Sequence, residues 1–162
     1  MLALVKDPNP ILKQKAELWD FEKHTDAADV EQEMLALMKS KNGIGLAANQ
    51  VGLLRRVFVM RTADGREFGC FNPEITSGDD ALVEGEEGCL SFPELWLKIK
   101  RHTKITAAYL DNTGKQCIIE LEGIDARCFQ HELDHLDGKT FTEYVSSLKL
   151  QMARKKQRKL NG

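Results

Sequence analysis

Gln130-His131-Glu132-Leu133-Asp134-His135 is the stretch on which the reading of this chain turns. It contains His-Glu-x-x-His, in which two imidazoles four residues apart stand one turn apart on the same face of a helix. From there both can reach one metal ion, with the intervening Glu132 beside it to handle a proton. A solvated helix face carrying two His and a Glu is the plain alternative, since these residues are common on surfaces. The periodicity argues against it. The segment predicts a helix over 124–137, stopped by Gly138. At about 100° per residue, Ile124, Cys128, His131 and His135 fall on one stripe, and Phe129, Leu133 and Leu136 form a second, apolar one. A helix with both stripes is largely buried.

A catalytic site of this kind uses three protein ligands and keeps one position open. Downstream of His135 there is no further His, and Glu143 is the only carboxylate at a suitable distance. Upstream, Cys89 stands in a Gly-Cys stretch flanked by Glu87 and Gly88, from which a thiolate can project. Cys70, Cys117 and Cys128 read as small core residues. An ion held by these ligands makes a hydroxide nucleophile available near neutral pH. Glu132 would accept the proton and pass it to a leaving amine. Attack on a carbonyl also needs donors for the oxyanion. The side-chain amide of Gln50 can supply one, unless Gln50 lies on the surface.

The bulk properties suit this chemistry. The chain has 162 residues, is 42% hydrophobic and 30% charged, and carries a formal net charge of −2. Those values fit a single globular domain over 1–162 and exclude a disordered chain. They give no general attraction to DNA or to an anionic membrane. No run approaches the ~18 apolar residues of a membrane span. Lys6 and Asp7 stand where a secretory signal would need an apolar core, so export is not expected. The four cysteines form no Cys-x-x-Cys pair, as expected for reduced thiols in a cytoplasmic setting.

In chain order, Pro8 and Pro10 make the first dozen residues an extended arm. Asp26 is the expected N-cap of an amphipathic helix over 26–41, with Asp29 at the capping-box position. Val30, Met34, Leu37 and Met38 supply its apolar face, and Asn42-Gly43 the stop. Residues 43–52 are rich in Gly and Ala and end in no Gly-Lys-Ser/Thr, so they form a close-approach loop beside a ligand rather than a phosphate loop. Strands are predicted at 56–61, 67–72, 96–101, 104–110 and 116–122, with a hairpin turn at 111–114. Short connections imply antiparallel pairing. Residues 86–93 are read as a loop closed off from the next strand by Pro93. The expected fold is α+β: antiparallel β-sheets wrapped around a central metal-binding helix, with an N-terminal helix and a short, basic C-terminal one in residues 146–162.

Gly43-Ile44-Gly45-Leu46-Ala47-Ala48-Asn49-Gln50 resembles the first motif of the peptide deformylases. Glu87-Gly88-Cys89-Leu90-Ser91 resembles their second motif, and Gln130-His131-Glu132-Leu133-Asp134-His135-Leu136-Asp137-Gly138 their third. The order and the gaps of about 40 residues agree, so the resemblance spans roughly residues 1–145. It implies a hydrolase that removes the formyl group from N-formylmethionyl peptides at the ribosome. It implies Cys89, His131 and His135 as ligands of one divalent metal, natively Fe(II), with zinc, nickel or cobalt able to replace it. Glu132 would be the general acid and base, with the Gln50 amide and Leu90 N–H at the oxyanion. Gly45 would bind the peptide backbone, and Ile44, Glu87, Cys128 and His131 would border the methionine pocket. The setting would be the cytoplasm, an organelle stroma or matrix, or a host cytoplasm if the source is viral.

Three features depart from the family pattern. Arg127 stands where an apolar residue is usual, and would rim the pocket and alter preference for the residues after methionine. Trp96 stands where many bacterial members carry an Arg that meets the peptide, so it either stacks on substrate or packs as a strand aromatic. The tail is shorter than in many members, and Arg154, Lys155, Lys156, Arg158 and Lys159 would either meet ribosomal phosphates near the exit tunnel or form a solvated helix end. Arg101 and Asp134 are candidates for an ion pair bracing the metal helix. The rival functions are a zincin-type metallopeptidase and a non-catalytic binding module on the same scaffold.

Overall fold

A computed structural model of the chain describes residues 1–161. Helix α1 (Ala27–Ser40) is followed by strands β1 (Gly45–Ala47), β2 (Val57–Arg61), β3 (Glu67–Gly78), β4 (Leu82–Cys89), β5 (Phe92–His102), β6 (Lys104–Leu110) and β7 (Gln116–Glu122). Helices α2 (Ile124–Leu136) and α3 (Ser147–Asn161) complete the chain. Five strands form one antiparallel sheet in the order β1-β2-β3-β6-β7, and β4 and β5 form a separate hairpin. The fold is α+β, as the sequence implies.

Strand β2 shows why the large sheet has a helix on each face. Side chains alternate across a strand. Val57 and Val59 face the cluster built with Met34 and Met38 of α1, while Phe58 and Met60 face the cluster built with Cys128, Phe129 and Leu136 of α2. Phe58 and Phe129 meet edge to face with centroids 4.9 Å apart. A strand covered on both sides reads as an unbroken apolar run, and this one does. A third apolar cluster lies under the hairpin, where Phe92, Leu95, Leu97 and Ile99 pack with Phe141 and with Leu150 and Ala153 of α3.

Three expectations change. Strand β3 runs past Pro73 instead of stopping at 72. The ladder to β6 shifts register between Phe71 and Glu74, so the missing proline N–H falls at an irregularity. Asn72, with φ +48°, uses its side chain to hold the backbone of Trp19, accepting from its N–H at 2.7 Å and donating to its C=O at 3.0 Å. That keeps the Trp19 ring edge-on to Phe71. Second, residues 86–89, read as part of a loop, end the strand β4 that begins at Leu82, and Pro93 lies inside β5. The hairpin belongs to no larger sheet, so a strand position without a donor is tolerated there. Third, Asp26 occupies the N-cap of α1 but makes no side-chain cap; it pairs with Arg55 at 3.6 Å.

The arm of residues 1–9 lies along the domain as expected, with Val5 N–H donating to Gln50 O and Asp7 N–H to Ser91 O. Helix α3 is held by Arg154, which bonds Asp7 at 3.0 Å and lies over the Phe92 ring. Lys155, Lys156, Arg158 and Lys159 are exposed.

Phe129 is fully buried and meets Phe58 of the sheet edge to face. Phe129→Ala is expected to lower unfolding free energy by about 3–5 kcal/mol, read from urea denaturation followed by far-UV circular dichroism.

Candidate active site

Every residue that the resemblance places in the catalytic, metal-binding or methionine-pocket set, except His135, lines one cavity of about 510 Å³ between β1, the β4–β5 hairpin and α2, together with Arg127 and Trp96. His135 stands directly behind, almost wholly buried. Cys89 comes from the last residue of β4, the two imidazoles from α2. Their ligand atoms all lie within 4.8 Å of one another, and Cys89 Sγ is 3.4 Å from His135 Nε2. That spacing suits a four-coordinate ion with one thiolate and two imidazoles. Burial and the neighbouring His131 hold the His135 imidazole well below its usual pKa, which keeps it a neutral donor. Burial works against a charge on His131 too, but the Cys89 sulfur and the Glu87 carboxylate outweigh it and raise its pKa well above the usual value. The two imidazoles are thus pulled in opposite directions, His131 by the anionic groups beside it and His135 by burial.

Glu132 follows His131 on α2 and is buried, with Oε1 lacking any protein partner. Burial pushes its carboxyl up to about 7, against the pull of His131. A carboxylate with an unpartnered oxygen and a pKa near neutrality suits proton transfer in both directions. The close-approach role of Gly45 is explicit. A Cβ there would lie 2.4 Å from Glu132 Oε2 and 2.8 Å from Cys128 Sγ. Cys128 itself is buried, its thiol donating to Ile44 O at 3.4 Å.

Gln50 is buried, so the surface alternative fails. Its amide is fixed at both ends: Ala47 N–H donates to Oε1 at 2.9 Å, and Nε2 donates to Ser91 Oγ at 3.1 Å and points at Cys89 Sγ at 3.5 Å. Ser91 in turn donates to Val5 O at 2.6 Å. Sequence alone gave Ser91 no role, because its partners are 41 and 86 residues away. Leu90 and Ser91 form the tight connection between β4 and β5.

Glu87 carries more than a pocket border. His131 Nδ1 bonds Glu87 Oε1 at 2.8 Å, Arg101 grips both carboxylate oxygens at 2.9 and 3.0 Å, and Arg127 donates at 2.7 Å. Burial would raise its pKa, but these donors hold it down to about 2. By holding Nδ1, Glu87 leaves His131 Nε2 for an ion. The expected Arg101–Asp134 pair is present at 2.6 Å, and Tyr144 donates to the same Asp134 oxygen at 2.7 Å while its ring lies under the Arg101 guanidinium.

Trp96 is not a core aromatic. It is 55% exposed, and its ring lies on Gly88, where a Cβ would sit 2.5 Å from it. Alternation along β5 restarts after Glu94, whose φ is +62°, so Leu95 and Leu97 face inward and Trp96 outward. Ile44 and Ile124 are likewise exposed at the cavity. Arg127 lines the cavity with its guanidinium engaged by Glu87 and two backbone carbonyls. Glu143, the downstream ligand candidate, instead accepts the Thr140 N–H at 2.8 Å as a capping residue.

The chain is similar to known proteins over nearly its whole length. The family model for polypeptide deformylase matches residues 1–151. A peptide deformylase of Thermodesulfovibrio yellowstonii is 39% identical over 160 residues, covering 96% of each chain. One from Maricaulis maris is 41% identical over 157 residues, covering 94% of this chain and 90% of the other. The crystal structure of a peptide deformylase from Legionella pneumophila matches with a TM-score of 0.91 and 34% identity, covering 99% of this chain and 95% of that one.

Removing the Glu87 charge leaves the buried guanidinium of Arg101 and the half-buried one of Arg127 short of a partner. Glu87→Gln is expected to be less stable than wild type by about 3 kcal/mol at neutral pH. Because folding depresses this carboxyl, its contribution is complete above the unfolded value of about 4.3 and fades as pH falls toward about 2. The gap between the two proteins in urea unfolding should therefore narrow across that window.

Proposed function

The chain belongs to the polypeptide deformylase family, and from that premise we infer that Glu132, Gln50 and Leu90 carry the removal of the N-formyl group from the N-terminal formylmethionine of nascent peptides, with release of formate. The observation that carries the reading is a buried carboxyl of raised pKa beside the Cys89–His131–His135 cluster, at the wall of a cavity with an apolar mouth. These three residues would hold one divalent ion, Fe(II) by family resemblance, with zinc, nickel or cobalt as substitutes. The donor set is compatible with all four. When bound, the ion supplies a Lewis acid and lowers the pKa of water at the site.

The rest is done by the chain. Glu132 takes the proton of the attacking water and delivers it to the amine that leaves when the formyl C–N bond breaks. The Gln50 amide, fixed by Ala47 and Ser91, and the Leu90 N–H would face the formyl oxygen as negative charge develops on it. The Gly45 backbone would align the peptide, with Ile44, Cys128, Arg127 and the Glu87 segment around the methionine side chain and Trp96 at the following residues. The peptidase reading is disfavoured because Glu143 serves as a cap. The binding-module reading is disfavoured because ligands, base and amide are all in place.

Substrate made on bacterial-type ribosomes would place the protein in a cytoplasm, or in an organelle stroma or matrix. No helix among the described residues is long and apolar enough to cross a membrane. Among the exposed cations of α3, Lys155, Lys156, Arg158 and Lys159 would be the cluster free to meet rRNA phosphates. Reversing their charge should weaken ribosome binding at low salt; unchanged binding would remove docking from the reading.

The function is tested by release of formate from formyl-Met-Ala-Ser by the Fe(II)-loaded protein. Glu132→Ala is expected to lower kcat about 10³-fold and Gln50→Ala about 10²-fold. Peptide-bond cleavage without formate would favour the peptidase, and neither product the binding module.

A further inference from the structure

Cys89 and the two imidazoles belong to parts of the fold that share no sheet. Cys89 lies on the β4–β5 hairpin, and the imidazoles on α2, which packs on the large sheet. Something must fix the hairpin against the helix to a few tenths of an ångström. Arg127, one turn before His131 on α2, reaches across this gap. Its Nη1 donates to Glu87 on β4 at 2.7 Å and to Ile99 O on β5 at 2.8 Å, and its Nη2 donates to Val83 O on β4 at 2.7 Å. One planar group thus holds both strands. An independent feature of the sequence makes room for it: Gly85 faces the guanidinium, and a Cβ there would sit 2.8 Å from its Cζ.

We propose that Arg127 is a positioning residue for the metal centre, stapling the β4–β5 hairpin to α2 so that the Cys89 sulfur is held at the His131–His135 pair. The inference rests on the ligand assignment above. Arg127 touches no reacting atom; it sets the register between the two halves of the ligand set, so its loss loosens the sulfur first and the imidazoles hardly at all.

Two measurements on the full chain test this. In metal-free protein, alkylation of Cys89 is followed by peptide mass mapping, with Cys117 on β7 as internal reference, since both are partly exposed. Arg127→Ala should raise Cys89 labelling at least tenfold while leaving Cys117 unchanged. Gly85→Ala, which displaces the guanidinium without deleting it, should act in the same direction. Arg127→Lys should restore part of the protection. In the Co(II)-loaded protein, Arg127→Ala should weaken binding about 10–100-fold and diminish the thiolate-to-cobalt absorption. Equal labelling and equal affinity in wild type, Arg127→Ala and Gly85→Ala would overturn the proposal. Absence of the thiolate band in wild type, with Cys89→Ser as reference, would overturn the ligand assignment instead, and the labelling would still decide the staple.

Discussion

One buried carboxylate lies at the centre of the bonds that join the two halves of this protein. Glu87 lies on a strand that belongs to no larger sheet, yet it receives two guanidinium groups and an imidazole from β5 and α2. Burying a charge is costly unless it is paired and its lone pairs are filled. Here every oxygen is engaged, and the bidentate fork of Arg101 gives the pairing a fixed direction. The same carboxylate that stabilises the packing also decides which imidazole nitrogen faces the cavity.

This explains why the site lies where it does. The large sheet is covered by α1 on one face and α2 on the other, which leaves little room for a cavity between them. The hairpin has its own small apolar cluster, closed by Phe141 and α3. Between these two bodies runs a seam whose contents are polar, and the cavity opens along it. Apolar packing builds each body; hydrogen bonds of defined length align them. That division suits a site in which ligands come from both sides, because directional bonds specify distance more sharply than apolar contact does.

How much of this was legible in the sequence follows the same division. Helix α2 and strands β6 and β7 were readable to within a residue, because their periodicity is local and the Gly138 stop is unambiguous. The His pair, Glu132 and Cys89 were legible as residue types at a chemical spacing. Strand β4 was not: Leu82 to Cys89 is rich in Glu and Gly, and its extended form comes from pairing with β5. Nor was the bulge that carries β3 past Pro73, which depends on the Asn72 side chain gripping Trp19 across 53 residues. The roles of Ser91 and of the Arg101–Glu87–Arg127 network were likewise hidden, since each partner is distant in sequence and individually ordinary. Only Arg101–Asp134 was anticipated, and its third member Tyr144 was not.

The placement of the two tryptophans has an optical consequence. Trp19 is sealed in the core against Phe71, whereas Trp96 stands at the cavity mouth, more than half exposed. Their emission should differ in wavelength and in sensitivity to aqueous quenchers. A peptide that fills the mouth alters the surroundings of the outer indole alone, and loss of the fold alters those of the inner one. The chain thus carries, without any added label, one fluorophore that reads occupancy and another that reads integrity.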